Sequence, residues 1–262
     1  DCCSASGGRI ISMMPSFIYA AKDNSIFINQ FVQSTANFKE TLKNNVRITQ
    51  NTNYPETEKV EILVNTDKRT TFKMTIRIPA WCKNPIVKLN GKIVAAVIPG
   101  KYLEIEREWK NRDKLDLNFP MELKWVEHDN YMKVEINKLP GGEIMYDGTA
   151  DQKNAPYALM RGPVVYMADN IWLNDSMPNY PKKVGSDVKI ILSEHTNYEV
   201  VKLKDDNLLA GPAFKVPVMI NGIKTEVVML PFSNTGKWYK DSENKGDKNA
   251  ATYSYAIWLN KF

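Results

Sequence analysis

The stretch at residues 71–109, TFKMTIRIPAWCKNPIVKLNGKIVAAVIPGKYLEIEREW, most constrains what this chain can fold into. Phe72, Met74, Ile76 and Ile78 fall on one face, and Lys73, Thr75 and Arg77 on the other. Successive side chains of a strand point to opposite faces, so this period of two predicts a half-buried strand. Pro79 ends it, having no N–H to give to a ladder. Val87, Leu89, Ile93 and Val94 then flank Asn90-Gly91. That dipeptide predicts a two-residue hairpin, because both central residues of a type I′ turn need positive φ. Leu103 and Ile105 alternate with Glu104 and Glu106 and close the unit on Trp109.

The same alternation recurs from Ser25 onward. Ile26 and Ile28 mark a strand over residues 25–32, and Val46 and Ile48 one over 45–49. Val60, Ile62 and Val64 mark another over 59–64, and residues 115–123 complete this set. Strands recurring every ~8–15 residues between Asn, Pro, Gly and Lys predict an antiparallel sandwich. A second set starts at 157–168 and continues through 188–192, 198–203, 214–220, 226–230 and 253–259, with Asn221-Gly222 as a further hairpin turn. Residues 139–156 read as irregular and 237–249 as a mobile polar loop. No glycine-rich phosphate loop and no βαβ rhythm occurs, which argues against a nucleotide-binding α/β fold. The expected fold class is all-β: two antiparallel β-sandwich (jelly-roll-like) domains, preceded by one short N-terminal helix. The sandwiches are expected at residues 24–125 and 126–262, with the boundary falling between Leu123 and His128.

Residues 1–22 follow a different pattern. Ile10, Ile11, Met14, Phe17, Ile18 and Ala21 have helical spacing, which predicts a helix over 10–21 with one apolar face that must pack on something. Pro15 predicts a kink or the helix start near it. Gly7-Gly8 would permit a tight turn ahead of it.

A chain of 262 residues can hold one large β domain or two ordinary ones. The net charge is +5, yet lysines alternate with Asp and Glu along strands, as over residues 101–110. That is a solvated sheet face rather than a nucleic-acid footprint. No apolar run reaches the roughly 18 residues of a membrane-crossing helix. No secretory signal opens the chain, and its start at Asp1 instead of Met reads as a processed or excised piece. Aromatic residues at 10% lean weakly towards a carbohydrate-handling or β-rich protein.

Few residues offer chemistry. The three cysteines, an odd number, make no disulfide framework. Adjacent Cys2 and Cys3 can both reach one zinc ion, which holds them as thiolates, and a thiolate is a good nucleophile where a thiol is not. The alternative is a chance pair at a chain end. Two thiolates do not complete a tetrahedral site. There is no Cys-x-x-Cys, and His128 and His195 sit in the β region without ligand spacing. Cys82, after Trp81, reads as a small buried apolar residue. Glu104, Glu106 and Glu108 read as a solvated face. Trp109, Trp125, Trp172, Trp238 and Trp258 could stack on sugar rings, although tryptophans at strand ends and in cores more often pack.

Several blocks carry a family resemblance. They are Asp1-Cys2-Cys3-Ser4-Ala5-Ser6-Gly7-Gly8-Arg9, Met14-Pro15, Ile26-Phe27-Ile28-Asn29, Thr49-Gln50 and Tyr54-Pro55. Ile76-Arg77-Ile78-Pro79-Ala80-Trp81-Cys82, Leu89-Asn90-Gly91, Tyr102-Leu103-Glu104-Ile105, Arg107-Glu108-Trp109 and Phe119-Pro120-Met121 follow in order, then Arg161-Gly162-Pro163-Val164-Val165-Tyr166. Together they resemble the region that leaves the catalytic barrel in family 127 of the glycoside hydrolases, the β-L-arabinofuranosidase family. The resemblance spans nearly the whole chain and is weakest after Met167. It implies an (α/α)6 barrel followed by two β-sandwiches, with residues 1–23 a remnant of the last barrel helix. It implies that Cys2 is the thiolate nucleophile that forms a glycosyl–enzyme intermediate, and that Cys2 and Cys3 both ligate zinc. The other zinc ligands and the acid/base glutamate would lie in the barrel, so zinc would belong to the longer protein and not to this piece alone. Gly8 and Ser6 depart from the family, where proline and asparagine are common.

The implied role is an accessory β-sandwich region that braces the barrel of a retaining glycosidase and is inactive alone. Its implied partners are the barrel, packed on the N-terminal helix, and a plant-type oligo- or polysaccharide bound by the parent protein. Nucleic acid and membrane are not expected, and the location is expected to be periplasmic or extracellular in a bacterium. The alternative is a non-catalytic carbohydrate-binding or protein-interaction module.

Overall fold

The computed structural model describes residues 2–127, 157–169, 188–192, 196–201, 210–220, 222–234, 255–256 and 258–261; side chains are described for all of these except 2–5, 169, 188 and 255–261. The chain divides into two compact units, Asp1–Met121 and Glu122–Phe262. His128, His195, Asn221, Trp172, Trp238 and the segments 139–156 and 237–249 lie outside the described residues.

In the first unit a helix, α1 (Cys2–Met13), runs into a 3₁₀ turn at Met14–Phe17. The strands β1 (Tyr19–Lys22), β2 (Ser25–Ile28) and β3 (Ser34–Asn37) follow, then a one-turn helix, α2 (Lys39–Leu42). After it come β4 (Val46–Asn51), β5 (Lys59–Thr66), β6 (Thr70–Arg77), β7 (Ile86–Leu89), β8 (Lys92–Ile93), β9 (Tyr102–Trp109) and β10 (Asp113–Asn118).

These strands form a four-stranded sheet, β1-β2-β6-β9, and a six-stranded sheet, β3-β4-β5-β10-β7-β8. The inward residues of both sheets make one core. Ile26, Ile28, Phe72, Met74 and Ile76 come from the first sheet, and Val46, Ile48, Val60, Ile62, Val64 and Leu115 from the second. All are fully or almost fully buried. Alternation along β5 and β10 is strict, so each strand gives one face to the core. Trp109 closes the core by stacking on Phe72 at 5.4 Å, and its indole N–H donates to the Phe72 carbonyl at 3.0 Å.

The stretch at 71–109 is not one hairpin stack. β6 and β9 pair in the four-stranded sheet, whereas the β7–β8 hairpin between them belongs to the six-stranded sheet. Its turn is the type expected: Leu89 pairs with Lys92, and Asn90 and Gly91 have φ of +50° and +81°. The pairing is antiparallel except between β2 and β6, which run parallel. Parallel neighbours need a long crossover. Here the intervening chain makes β3, β4 and β5 in the opposite sheet.

The helix lies earlier than its apolar spacing predicts. It ends at Met13, and residues 19–21 of the expected helix belong to strand β1, with Tyr19 opposite Ile28. Pro15 explains the break. It lacks an N–H and fits only the first turn of a helix, where it sits in the 3₁₀ segment. Gly7 and Gly8 are inside α1, not in a turn before it.

The second unit holds β11 (Leu123–Glu127), β12 (Tyr157–Arg161), β13 (Val164–Asp169), β14 (Val188–Ile190) and β15 (Glu199–Val201). It continues with β16 (Ala213–Ile220), β17 (Ile223–Pro231), β18 (Tyr255–Ala256) and β19 (Trp258–Lys261). They belong to one nine-stranded sheet. Its pairings run from β12 to β13, β17, β16, β14 and β19, and return to β12. Among the described residues β11, β15 and β18 attach to this circuit, each pairing with one strand: β12, β16 and β13 in turn. β14 and β19 run parallel, and the other pairings are antiparallel. Leu159, Val164, Tyr166, Val216, Val218, Val227 and Met229 fill the inside. The fold class is all-β, as the periodicity predicts.

Candidate functional site

Cys2 and Cys3 occupy the first turn of α1; their side chains are outside the described set. As a donor pair, adjacent thiols suit zinc and supply two of its four usual ligands. Among the described residues no group of three or more His, Cys, Asp or Glu side chains comes together to hold a metal. The third cysteine, Cys82, is fully buried in the first core, as its apolar setting predicts.

The helix that carries the pair and the 3₁₀ turn after it leave large apolar side chains in solvent. Ile10 is 59% exposed, Ile11 70%, Met14 59% and Phe17 54%. The next residues fasten this segment to the sandwich. Ile18 O accepts N–H bonds from Asn29 and Gln30 at 2.9 and 3.3 Å. The Tyr19 ring meets Phe38 edge-on at 5.8 Å, and its hydroxyl accepts from the buried Gln50 amide at 3.0 Å. Gln50 also donates to Gln30 O at 3.1 Å, which ties the six-stranded sheet to the segment after β2.

Blocks far apart in sequence converge at this same end of the first unit. Arg77, at the end of β6, donates through Nε to Asn29 O at 2.6 Å, and its guanidinium lies 5.8 Å from the Phe31 ring centre. Phe31 packs edge-on against Tyr54 at 5.7 Å and tilts against Phe119 at 5.0 Å. The Trp81 indole N–H donates to the Tyr54 hydroxyl. Burial pushes that hydroxyl up to about 12, against the opposing pull of the Arg77 charge. Tyr102, opposite Arg77 in the ladder, donates to Asn29 Oδ1 at 2.9 Å. Thus Asn29, Tyr54, Arg77, Trp81 and Tyr102, from four separated sequence blocks, form one cluster beside the exit of α1. The spacing of these residues in sequence carries no signal of that convergence, because it is made by β2, β6 and β9 lying side by side.

In the second unit Gly162-Pro163 turns β12 into β13, with Arg161 opposite Val164. Gly162 has φ of +55° and proline a fixed negative φ, the sign pattern of a type II′ turn. Arg161 and Tyr166 both approach Gly211, where a Cβ would stand 3.3 Å from Arg161 Nη1 and 3.1 Å from Tyr166 Oη. Burial pushes Tyr166 up to about 12 although the Arg161 charge pulls it down. Of the tryptophans considered as sugar platforms, Trp109 is fully buried. Trp125 is half-buried and donates to the Tyr198 hydroxyl at 2.8 Å.

Residues 25–121 match the family model described as the middle domain of β-L-arabinofuranosidase, GH127. The chain's fold is that of a GH127 β-L-arabinofuranosidase from Geobacillus stearothermophilus T6, with a TM-score of 0.69 and 21% identity, over 100% of this chain and 37% of that one. A GH127 β-arabinofuranosidase superposes with a TM-score of 0.67 and 20% identity over 100% of this chain and 38% of that one. A third structure, described as a glycoside hydrolase, gives 0.64 and 18% over 99% and 39%. A comparison with curated proteins finds no match. The chain therefore spans 37–39% of the length of these relatives.

Proposed function

We propose that this chain, whose residues 25–121 match the model of the GH127 middle domain, is the accessory β region of a glycoside hydrolase and braces its catalytic barrel. The observation that carries this is the exposure of Ile10, Ile11, Met14 and Phe17, in α1 and the 3₁₀ turn that follows it. A patch of several large apolar side chains on one helix calls for a covering surface. A barrel helix bundle packed there would remove Ile10, Ile11, Met14 and Phe17 from water. At about 1.5–3 kcal/mol for each buried large apolar side chain, four would hold a domain in place.

In this reading Cys2 is the nucleophile of the complete protein, and Cys2 and Cys3 bind zinc with ligands that the barrel provides. Placement in the first turn of a helix supports the assignment, because a helix N-terminus favours thiolate over thiol. The substrate is an arabinofuranoside or a related plant-type sugar, and the protein is exported by its bacterium. Among the described residues no helix is long and apolar enough to cross a membrane.

The test is the intact mass and metal content of the natural gene product. A product several hundred residues longer than this chain, with bound zinc that Cys3→Ala removes, is the expected result. A product that begins near Asp1 and holds no zinc would overturn it. So would glycoside hydrolysis by the 262-residue chain alone that Cys2→Ala abolishes.

A further inference from the structure

The outer face of the four-stranded sheet buries one residue that its position should leave in water. Thr75 points away from the core, since Met74 and Ile76 beside it point inward, yet it is only 2% exposed. Its neighbours in register are Phe27 on β2 and Glu104 on β9. Those two strands flank β6, so at about 4.8 Å per strand step their backbones stand roughly 10 Å apart. The rings of Phe27 and Tyr102, one from each strand, have centres only 6.3 Å apart and meet edge to face. They therefore lean towards each other over β6 and roof Thr75.

Tyr102 is nevertheless 49% exposed, and it is held. Its hydroxyl donates to Asn29 Oδ1 at 2.9 Å, and Asn29 O takes the Arg77 Nε bond at 2.6 Å. A large exposed ring fixed at both its edge and its hydroxyl loses little freedom when a ligand covers it, which removes a main cost of binding. The charges along this face of β6 and β9 balance, three of each sign. Lys73 pairs with Glu104 at 3.0 Å and lies opposite Glu106, Arg69 pairs with Glu108 at 3.2 Å, and Arg77 remains beside Tyr102. Such a surface has no excess of either sign to draw an ion. Two rings are too small an apolar area for a stable protein–protein interface. The combination suits a ligand with a flat C–H face for the ring and hydroxyls for the polar rim.

We propose that Tyr102, set on Phe27 and flanked by Asn29, Arg77 and Glu104, is a binding platform for a neutral oligosaccharide. It is separate from the Cys2-Cys3 pair and from the bracing role, and either could fail without the other. The test is isothermal titration of the 262-residue chain with xylohexaose and with arabinohexaose at millimolar concentration. Binding of at least one is expected, weakened about tenfold or more by Tyr102→Ala and less by Tyr102→Phe, which keeps the ring but loses its hydroxyl tether to Asn29. No heat with either sugar would overturn the site, as would unchanged binding in a folded Tyr102→Ala variant. If that variant does not fold, the Tyr102 ring resonances of the unaltered chain decide. Their movement on adding the bound sugar supports the platform, and their constancy refutes it.

Discussion

Replacing Gly211 with alanine tests how the second unit is held together. Gly211 has φ of +134°, where L residues rarely go, so alanine there incurs backbone strain on the order of 1–3 kcal/mol. The new Cβ would also press on Tyr166 Oη at 3.1 Å and Arg161 Nη1 at 3.3 Å. The Tyr166 ring does not yield freely, because it is fully buried in the core of its unit, and forced shifts in a packed interior cost about 1–3 kcal/mol. Together these predict a loss of about 2–6 kcal/mol. Gly222 supplies the control: its φ is +79°, but a Cβ there meets nothing within 4 Å. Gly222→Ala should therefore cost only about 1 kcal/mol, the strain of a left-handed alanine. The assay is urea unfolding of both variants followed by tryptophan fluorescence, with the transition of each unit fitted separately. Equal losses for the two variants, or a neutral Gly211→Ala, would refute the packing argument.

Three further outcomes follow from the structure. Thr75→Val should hold or raise stability by up to about 1 kcal/mol, because the Thr75 hydroxyl is buried without a hydrogen-bond partner among the described residues and valine keeps its shape; a loss in thermal melting would contradict the roof of Phe27 and Tyr102. Trp109→Phe should cost about 2–4 kcal/mol, from the cavity and the orphaned Phe72 carbonyl, and should lower the melting temperature of the first unit. Alkaline pH should destabilise both units between about pH 10 and 12. Tyr54 and Tyr166 keep their protons to about 12 when folded, whereas the unfolded chain releases them near 10. The unfolded state then binds fewer protons, so stability is complete below pH 10 and falls above it, by on the order of 2 kcal/mol for each tyrosine. Absorbance titration at the phenolate band, in which Tyr54 and Tyr166 should be among the late tyrosines that normalise in denaturant, checks this.

The sequence by itself determined most of the strands, though not β1 or β3, together with the Asn90-Gly91 turn and the buried Cys82. These rest on local physics: a period of two, positive φ at both turn residues, and an apolar setting after a strand end. It also pointed to family 127 through blocks such as Arg77-Ile78-Pro79 and Arg161-Gly162-Pro163, and the match over residues 25–121 agrees. Local pattern misjudged the helix, because Ile10, Ile11 and Met14 before Pro15 and Phe17, Ile18 and Ala21 after it keep one helical spacing, and spacing cannot weigh a missing N–H against a hairpin that β2 offers to Tyr19. Only the tertiary structure decided which strands share a sheet. The parallel β2–β6 pair, the division of residues 71–109 between two sheets, and the meeting of Asn29, Arg77 and Tyr102 all depend on contacts between distant residues. A chain's periodicity says which face of a strand is buried, but it says nothing of which neighbour lies across the ladder.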